Sequence, residues 1–291
     1  MKRLMVENSI PSDKLSLIEG ETYQKERSLY GIKNTKVVSS KFKGKEDGES
    51  PLKETNNIIV EKCEFDLRYP LWHVTNGDII DSKFTNNSRA PLWYSNNIKL
   101  LDSTSDSPKI FRECNEIIVQ NSTINSEELF WRCKDVEVVD SKLSGFYAFF
   151  QSCNLKVNHI DFEGKYSFQY CNNVEIIDSK LNTKDALWHC NNVVVKNSVI
   201  KGEYIAWYSK NLTFIDCEIE SHQPFCYSKN IKLINCKMPN SDLAFENSTA
   251  KVSLVGEIDS VKNPKKLVIK GKIKEVVNEN ALHKVNIRIK K

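Results

Sequence analysis

Apolar and polar residues along the chain form short patterns that recur at a fixed distance. One position occupied mostly by Ser, the anchor column, repeats every 19 residues in its last seven steps, after earlier steps of 23, 19 and 21 residues. Its members are Ser40, Cys63, Ser82, Ser103, Ser122, Ser141, Ile160, Ser179, Ser198, Cys217 and Cys236. Self-similarity at a constant period predicts a repeat array in which each unit packs on its neighbours.

A second recurring position, the Asn column, lies six residues before the anchor. Its members are Asn34, Asn57, Asn76, Asn97, Glu116, Asp135, Asn154, Asn173, Asn192, Asn211 and Asn230. Asn tolerates left-handed backbone and bonds to its own turn, so we interpret this column as a stack of turns. The residues that follow alternate between apolar and polar, which predicts a short strand with one buried face.

A further apolar position, the inner column, lies eleven residues before the anchor and predicts a second strand in each unit. Its members are Leu29, Leu52, Leu71, Leu92, Phe111, Phe130, Phe149, Phe168, Leu187, Ala206, Phe225 and Ala244. Units of 19 residues are too short for a helix, a strand and their turns, and leucine-rich repeats run about 20–29 residues. The spacing also lacks the period of hexapeptide repeats. The sequence therefore predicts an all-β fold, a right-handed parallel β-helix of about twelve coils.

The expected organisation is one domain with three parts. Residues 1–28 form an N-terminal cap, residues 29–260 the β-helix, and residues 261–291 a Lys-rich C-terminal strand cap. The last part carries a net charge of +8, whereas residues 1–260 carry −4. Lysines on edge strands prevent edge-to-edge aggregation, and binding of an anionic partner is the alternative interpretation. Nucleic acid is not the expected partner.

The composition and the N-terminal residues indicate the cellular compartment in which we expect the protein. The 291 residues are 40% hydrophobic, enough to fill a sizeable core, and no apolar run approaches the length of a membrane span. The N-terminal apolar stretch ends at Glu7, which is too short for a signal peptide. Nine cysteines without an export signal are expected to be reduced thiols. We expect a cytoplasmic protein that does not enter membranes.

Several strings resemble a known family. They are KERSLYG (25–31), GESPLKE (48–54), YPLWH (69–73), APLWYSNN (90–97) and IDSVKNP (258–264). The chain resembles, over essentially its whole length, a bacterial family of uncharacterised pectin-lyase-like proteins that are single-domain right-handed β-helices. The resemblance implies the fold and brings no catalytic residue with it, because function depends on sites rather than on folds.

Two columns beside the inner column contain side chains that a core does not explain. The first strip column comprises Tyr30, Lys53, Trp72, Trp93, Arg112, Trp131, Phe150, Gln169, Trp188, Trp207, Cys226 and Phe245. The second strip column comprises Gly31, Glu54, His73, Tyr94, Glu113, Arg132, Gln151, Tyr170, His189, Tyr208, Tyr227 and Glu246. Charged residues are rarely buried unpaired, so at least one column faces solvent, and both do if the chain bends here.

An exposed strip of aromatic and polar groups suits an extended oligosaccharide or polysaccharide, because sugar C–H faces pack on aromatic rings while polar groups bind the hydroxyls. The candidate substrate-binding residues are Lys53, Trp72, Trp93, Tyr94, Trp131, Arg132, Trp188, His189, Trp207 and Tyr208. The alternative is a non-catalytic structural or interaction solenoid, whose strip rigidifies the sheet or forms the interface of a homo-oligomer.

The N-terminal half of the strip holds the candidate catalytic residues, which are Glu54, His73, Arg112 and Glu113. A polysaccharide lyase needs a base and cations that stabilise a uronate, and a glycoside hydrolase needs two carboxyl groups about 5–9.5 Å apart. Glu54 and Glu113 stand three coils apart, which disfavours them as a direct pair. Simple pairing of Glu54 with His73 and of Glu113 with Arg132 is the competing interpretation.

Metal sites have little support in the sequence. Asp81 and Asp102 precede consecutive anchors and are a candidate Ca²⁺ site, with turn stabilisation as the competing interpretation. Cys114 and Cys133 share a column with several serines, which indicates small inward side chains rather than the tetrahedral set that zinc requires. We therefore expect no other metal or cofactor.

Overall fold

The computed structural model describes residues 10–11, 14–44 and 49–290. The chain divides into two units, residues 1–142 and residues 143–291, and each unit is described by itself. Parts of the predicted caps, at residues 1–9, 12–13 and 291, lie outside the described residues. The described residues contain no α-helix, and a short 3₁₀ turn spans Asn86–Ser88.

The first unit is a stack of short parallel strands. One sheet follows the order β1 (Ser16–Glu19), β3 (Lys33–Val38), β5 (Asn56–Glu61), β7 (Thr75–Ile80), β9 (Asn96–Leu101), β12 (Asn115–Gln120) and β15 (Lys134–Val139). A second sheet follows the order β2 (Thr22–Tyr23), β4 (Lys41–Lys43), β6 (Glu64–Asp66), β8 (Lys83–Phe84), β10 (Thr104–Ser105) and β13 (Thr123–Asn125). A separate pair consists of β11 (Lys109–Arg112) and β14 (Glu128–Trp131).

The second unit repeats this arrangement. Its first sheet follows the order β17 (Cys153–Asn158), β19 (Asn172–Ile177), β21 (Asn191–Lys196), β23 (Lys210–Ile215), β25 (Lys229–Cys236), β26 (Thr249–Lys262), β27 (Lys266–Val277) and β28 (Ile287–Lys290). Its second sheet follows the order β18 (Asp161–Lys165), β20 (Lys180–Lys184), β22 (Val199–Glu203) and β24 (Glu218–His222). Strand β16 (Lys142–Gly145) stands at the division between the units.

The parallel register equals the sequence period. In the first unit Ile117 pairs with Val136, and in the second unit Val193 pairs with Leu212, each across 19 residues. Alternating Val and Ile favour such strands because branched side chains pack well on a pleated, half-buried surface. The right-handed parallel β-helix predicted from the repeat is confirmed, with about 14 turns rather than twelve.

Aromatic stacks and hydroxyl ladders fill the interior of both units. Phe65 stacks between Phe42 and Phe84, with ring centroids 4.8 Å from each. In the anchor column, Ser122 Oγ accepts a hydrogen bond from the amide of Ser103 at 3.1 Å and donates one to a backbone carbonyl of its own turn. Small residues predominate there because the anchor lies inside the coil.

The Asn column forms the stack of turns that the sequence predicts. Asn97 has φ 51°, and its Nδ2 donates to Asn76 Oδ1 at 2.8 Å. In the second unit Asn173 Nδ2 donates to Asn154 Oδ1 at 3.0 Å. Amide ladders of this kind compensate for left-handed backbone, which is costly for most residues.

The predicted second strand is wrong in most coils. Inner-column residues such as Leu92 (φ 58°) and Phe168 (φ 55°) adopt left-handed backbone and form a corner, and only β11 and β14 continue this segment as strands. The strands of the second sheet lie instead just after the anchor, where Phe42 and Phe162 point inward. The sequence pattern located the buried residues but not their backbone conformation.

The last corner of the second unit departs from the 19-residue register. Phe225 stacks on Phe245 at 5.4 Å, so Phe245 and not Ala244 belongs to the inner column. The strip positions of this coil shift likewise, to Glu246 and Asn247. The cause is a single extra residue, since this coil is 20 residues long at the corner.

Eight of the nine cysteines are buried thiols, and Cys153 is half-buried. All nine lie among the described residues and none forms a disulfide. Burial raises the pKa of Cys63 to about 11 and that of Cys226 to about 12. Cys190 Sγ donates to a backbone carbonyl at 2.7 Å, and Ser209, one coil later in the same column, makes the equivalent bond at 2.6 Å. This shared bond explains why Ser and Cys interchange.

The C-terminal lysines lie partly in ion pairs. Lys274 contacts Asp259 at 2.7 Å and Glu257 at 3.1 Å, and Lys272 contacts Glu257 at 2.9 Å. These pairs connect β26 and β27 and are exposed, so each contributes little to stability. Within the described ranges, no helix has the length and apolar composition to cross a membrane.

Candidate functional site

The corner that follows the inner column turns two successive side chains outward. Leu92 is fully buried, Trp93 is half-buried, and Tyr94 is 39% exposed. Leu92 and Tyr94 both have φ 58°, which breaks the alternation of a regular strand. The Tyr94 amide donates to the carbonyl of Arg112 at 2.9 Å, which holds the corner to the next coil. Both strip columns therefore face outward at this bend.

In the first unit, the first strip column is a stack of two cations and three indoles from Lys53 to Trp131. Trp72 and Trp93 lie face to face at 5.3 Å, and the Lys53 ammonium lies 5.7 Å from the Trp72 ring. The Arg112 guanidinium lies 4.8 Å from the Trp93 ring and 5.0 Å from the Trp131 ring. Five consecutive coils thus contribute one continuous cation–π stack.

The second strip column of the first unit is polar and exposed. The His73 and Tyr94 rings stack at 5.1 Å. Arg132 pairs with Glu113 at 3.6 Å, as the competing interpretation of these residues predicted. Hydrogen bonding to the Glu54 carboxylate raises the pKa of the Tyr30 hydroxyl. Each of the two acids of this column therefore has a partner on a neighbouring coil.

In the second unit, the first strip column is neutral from Phe150 to Cys226. Trp188 and Trp207 stack at 5.4 Å, with their planes within 6° of parallel. Gln169 occupies the preceding coil and is only 8% exposed. Its Nε2 donates to the carbonyl of Asp185 at 2.9 Å. A satisfied amide thus takes the position that a cation occupies in the first unit.

The second strip column of this unit is a run of stacked rings. His189 lies between Tyr170 at 4.7 Å and Tyr208 at 5.1 Å, and Tyr208 stacks on Tyr227 at 5.0 Å. Burial raises the pKa of the Tyr227 hydroxyl. Tyr170 and Tyr208 are nearly half exposed, so their edges face solvent.

Stacking decides which part of each ring a ligand meets. Ring planes within 16° of parallel cover one another's faces in the pairs Trp72–Trp93, His73–Tyr94 and Trp188–Trp207. What faces solvent along these stacks is therefore ring edges, hydroxyl groups and ring nitrogens. Packing of sugar C–H faces on the indole faces, the contact expected from the sequence, is blocked inside each stack.

Several strip side chains donate an N–H group to the backbone carbonyl at the equivalent position of the next coil. Trp188 Nε1 donates to the carbonyl of Tyr204 at 2.6 Å, and Trp72 Nε1 to that of Ala90 at 2.6 Å. Each acceptor residue lies three positions before the next strip residue and has left-handed backbone. The turn conformation aims this carbonyl at the indole of the preceding coil.

Two strip residues of the first unit lack this acceptor. The equivalent positions for Trp93 and Arg112 are Lys109 and Glu128, which lie in strands β11 and β14 and not in left-handed turns. Trp93 Nε1 and Arg112 Nε are buried and form no hydrogen bond. Buried N–H groups without an acceptor are rare in native structures and require a specific cause.

The four candidate catalytic residues do not form one cluster. Glu54 and Glu113 share a column but stand three coils apart, with His73 and Tyr94 between them. Arg112 lies inside the indole stack. Their assignment to catalysis stays a prediction.

Among the described ranges, no three His, Cys, Asp or Glu side chains converge as metal ligands. Asp102, one of the two residues of the candidate Ca²⁺ site, accepts a hydrogen bond from Asn121 Nδ2 at 2.5 Å.

One titratable pair escaped the sequence analysis. His222 Nδ1 lies 2.8 Å from Asp242 Oδ1 in the second unit, with both side chains about 40% exposed. Lys184 and Glu203 pair at 2.7 Å in the same surface column. His222 and Asp242 are 20 residues apart, so the 19-residue period does not align them. Both lie in the column four residues before the first strip column, and the charged residues of that column indicate such pairs.

Comparison with family models assigns the chain. A model described as "Protein of unknown function (DUF3737)" matches residues 16–290. The chain belongs to this family. No curated protein matches the chain at a significant level.

Solved structures with a similar chain path have low sequence identity. The surface protein and adhesin PfbA of Streptococcus pneumoniae matches with a TM-score of 0.38 and 11% identity, over 96% of this chain and 93% of that one. The A-module of the mannuronan C-5 epimerase AlgE6 of Azotobacter vinelandii matches with a TM-score of 0.38 and 11% identity, over 96% and 90%. A periplasmic alginate epimerase, AlgG, matches with a TM-score of 0.28 and 10% identity, over 93% and 81%. No residue role is transferred from these proteins.

Proposed function

We propose that this member of a family of unknown function binds an extended carbohydrate along the strip of its first unit, without cleaving it. The observation that carries the proposal is an outward column of hydrogen-bonding groups at coil spacing, from Glu54 to Arg132, that the core does not need. Sugar hydroxyls both donate and accept, and such a mixed set of donors and acceptors suits them.

In this proposal, the carbohydrate contacts the edges of the aromatic rings and not their faces. The His73 and Tyr94 rings cover each other, so a ligand meets the Tyr94 hydroxyl, the imidazole edge and the Glu113–Arg132 pair. Stacking fixes the side chains before the ligand arrives, which lowers the entropy lost on binding. Glycoside hydrolysis by a Glu54–Glu113 pair is not part of the proposal, because these residues stand three coils apart.

A second function fits the strip of the second unit. Its faces are stacked and its N–H groups of Gln169, Trp188 and Trp207 all have backbone acceptors. A fully satisfied aromatic column stabilises the corner without a ligand. We assign that strip a structural role, in keeping with the non-catalytic solenoid that the sequence analysis kept as its alternative.

A fluorescence titration tests the proposal, because all five Trp residues lie in the strip. The protein is titrated with neutral and uronate oligosaccharides while the tryptophan emission is recorded. We expect a saturable change with at least one oligosaccharide class. Tyr94→Ala is expected to weaken that binding and Tyr208→Ala, an equally exposed and stacked Tyr of the second unit, to leave it unchanged. Absence of any saturable change across the panel would remove the proposal.

A further inference from the structure

Arg112 is the one first-strip-column residue of the first unit, among those described, whose cation lies between two indoles. Its guanidinium is 4.8 Å from the Trp93 ring and 5.0 Å from the Trp131 ring. Because an indole lies on either side, a ligand reaches the N–H edge of the guanidinium only from the direction that the two rings leave open. An edge presented in this way matches the two oxygens of a carboxylate or a sulfate.

None of the described residues forms an ion pair with the Arg112 cation. The neighbouring charges pair among themselves, since Glu113 contacts Arg132 at 3.6 Å and Glu128 contacts Lys109 at 2.9 Å. Within the described part of the chain, the Arg112 side chain makes no ion pair, and its Nε is buried without an acceptor. The Arg112 cation is therefore half-buried and forms no ion pair with the residues that the structure describes.

The cause of this state is local and specific. Strand β14 (Glu128–Trp131) replaces the left-handed turn whose carbonyl would accept the Nε hydrogen of Arg112. Gln169 occupies the equivalent position of the first strip column in the second unit. It is neutral, and its side-chain amide has an acceptor in the Asp185 carbonyl. A half-buried cation with an unused donor is costly unless an external acceptor completes it.

We infer that Arg112, held between Trp93 and Trp131, is the binding point for an oxyanion substituent of a glycan, and that the ligand of the strip is an anionic carbohydrate. This inference rests on the proposed function and specifies its ligand class. The carboxylate of a uronic acid and the sulfate of a sulfated sugar share the chemistry that the guanidinium recognises. Neutral glycans lack it.

Calorimetric titration of the full-length protein with three probes separates these ligands. The probes are oligogalacturonate, the same oligomer with its carboxylates methyl-esterified, and a sulfated galactan oligomer. We expect the wild-type protein to bind at least one anionic probe, and to bind the esterified oligomer at least about tenfold more weakly than oligogalacturonate if the carboxylate is the substituent. Affinity for the anionic probe is expected to fall as salt is raised.

Variants assign the effect to Arg112. Arg112→Gln is expected to weaken binding of the anionic probe about tenfold or more, whereas Arg89→Gln removes the same charge from an exposed position elsewhere in the first unit and is expected to change it less than about twofold. Arg112→Lys keeps the charge without the planar fork and is expected to fall between the two. Circular dichroism and thermal unfolding verify that each variant keeps its fold.

The outcomes separate the inference from the proposed function. Equal affinity for charged and esterified oligomers, with no preference for the sulfated one, would leave carbohydrate binding in place and overturn the role of Arg112. Unchanged anionic binding in a folded Arg112→Gln variant would overturn it as well. Failure of all probes to bind would overturn both. If Arg112→Gln does not fold, Arg112→Lys and the esterified oligomer decide the question.

Discussion

The strips of the two units are built on the same corner and differ in how their side chains are satisfied. In the second unit, Gln169 and Trp188 each donate to the carbonyl of a left-handed residue on the next coil. In the first unit, β11 and β14 replace that turn, and Trp93 and Arg112 have no acceptor. The backbone ladder and the core are the same in both units. The local change of conformation at β11 and β14 leaves two N–H groups of the first strip column without an acceptor.

The two units also differ in the charge of the first strip column. The second unit places the neutral amide of Gln169 in the first strip column, and the first unit places the guanidinium of Arg112 there between two indoles. A neutral donor satisfied by backbone contributes to stability, whereas an unpaired cation contributes little until a ligand arrives. We therefore expect ligand binding at the strip of the first unit and a stabilising role for the strip of the second unit.

The largest expected effect concerns what the two units share. Phe111→Ala and Phe168→Ala each remove a fully buried ring from a face-to-face stack of the inner column. Each variant is expected to lose about 3–5 kcal/mol in free energy of unfolding, because the lost ring leaves a cavity. Chemical denaturation measures the loss. A loss below about 1 kcal/mol in either unit would mean that the inner column does not carry the core.

A matched pair of indole substitutions measures the acceptor difference itself. Trp188→Phe and Trp93→Phe remove the same ring volume and the same N–H group. Only Trp188 loses a hydrogen bond, to the carbonyl of Tyr204, so Trp188→Phe is expected to be more destabilising than Trp93→Phe by about 1 kcal/mol. Thermal unfolding compares the two. Equal losses would show that Trp93 Nε1 is satisfied in solution.

The Asn column offers a smaller contrast. Glu116 has left-handed backbone with φ 58°, and Glu116→Asn is expected to stabilise the first unit by about 0.5 kcal/mol, because Asn tolerates this conformation and can continue the amide ladder. Asn173→Ala is the opposite change in the second unit and is expected to cost about 1 kcal/mol, since it breaks bonds to Asn154 and Asn192. Destabilisation by Glu116→Asn would argue against the ladder as the source of turn stability.

The smallest effect depends on pH. Burial raises the pKa of the Asp185 carboxyl above its unfolded value, so the free energy of unfolding falls as pH rises through that pKa. Asp185→Asn keeps a residue that tolerates φ 54° and keeps the carbonyl that accepts from Gln169. The variant is expected to unfold at a slightly higher temperature at pH 7, and the gain is expected to vanish below about pH 4. A gain independent of pH would point to a cause other than ionisation.

The repeat predicted the fold because a constant 19-residue period and an alternating strand pattern leave few all-β alternatives. The Asn column and the anchor column also kept the roles that their residue types predicted, since each makes one local hydrogen-bonding pattern in several coils. The inner column was assigned to a strand because buried residues in a left-handed corner, such as Phe168, have the same spacing as buried residues in a strand.

The candidate site was only partly predictable. The sequence identified the two strip columns and the Glu113–Arg132 pair, because neighbours at the repeat distance lie side by side. It could not give the orientation of the ring planes, which depends on the corner backbone. It also missed the state of Arg112, since the loss of an acceptor at Glu128 follows from a change of backbone conformation that the repeat period does not encode.

Hydrogen–deuterium exchange with and without a bound anionic oligosaccharide tests the central claim most directly, because it reports which unit contacts the ligand. The account predicts slower exchange at the corners of the first unit, between Trp93 and Arg132, and unchanged exchange at the corners of the second unit, between Gln169 and Tyr208. Protection confined to the second unit, or equal in both strips, would contradict the claim that the unsatisfied stack around Arg112 is the binding site.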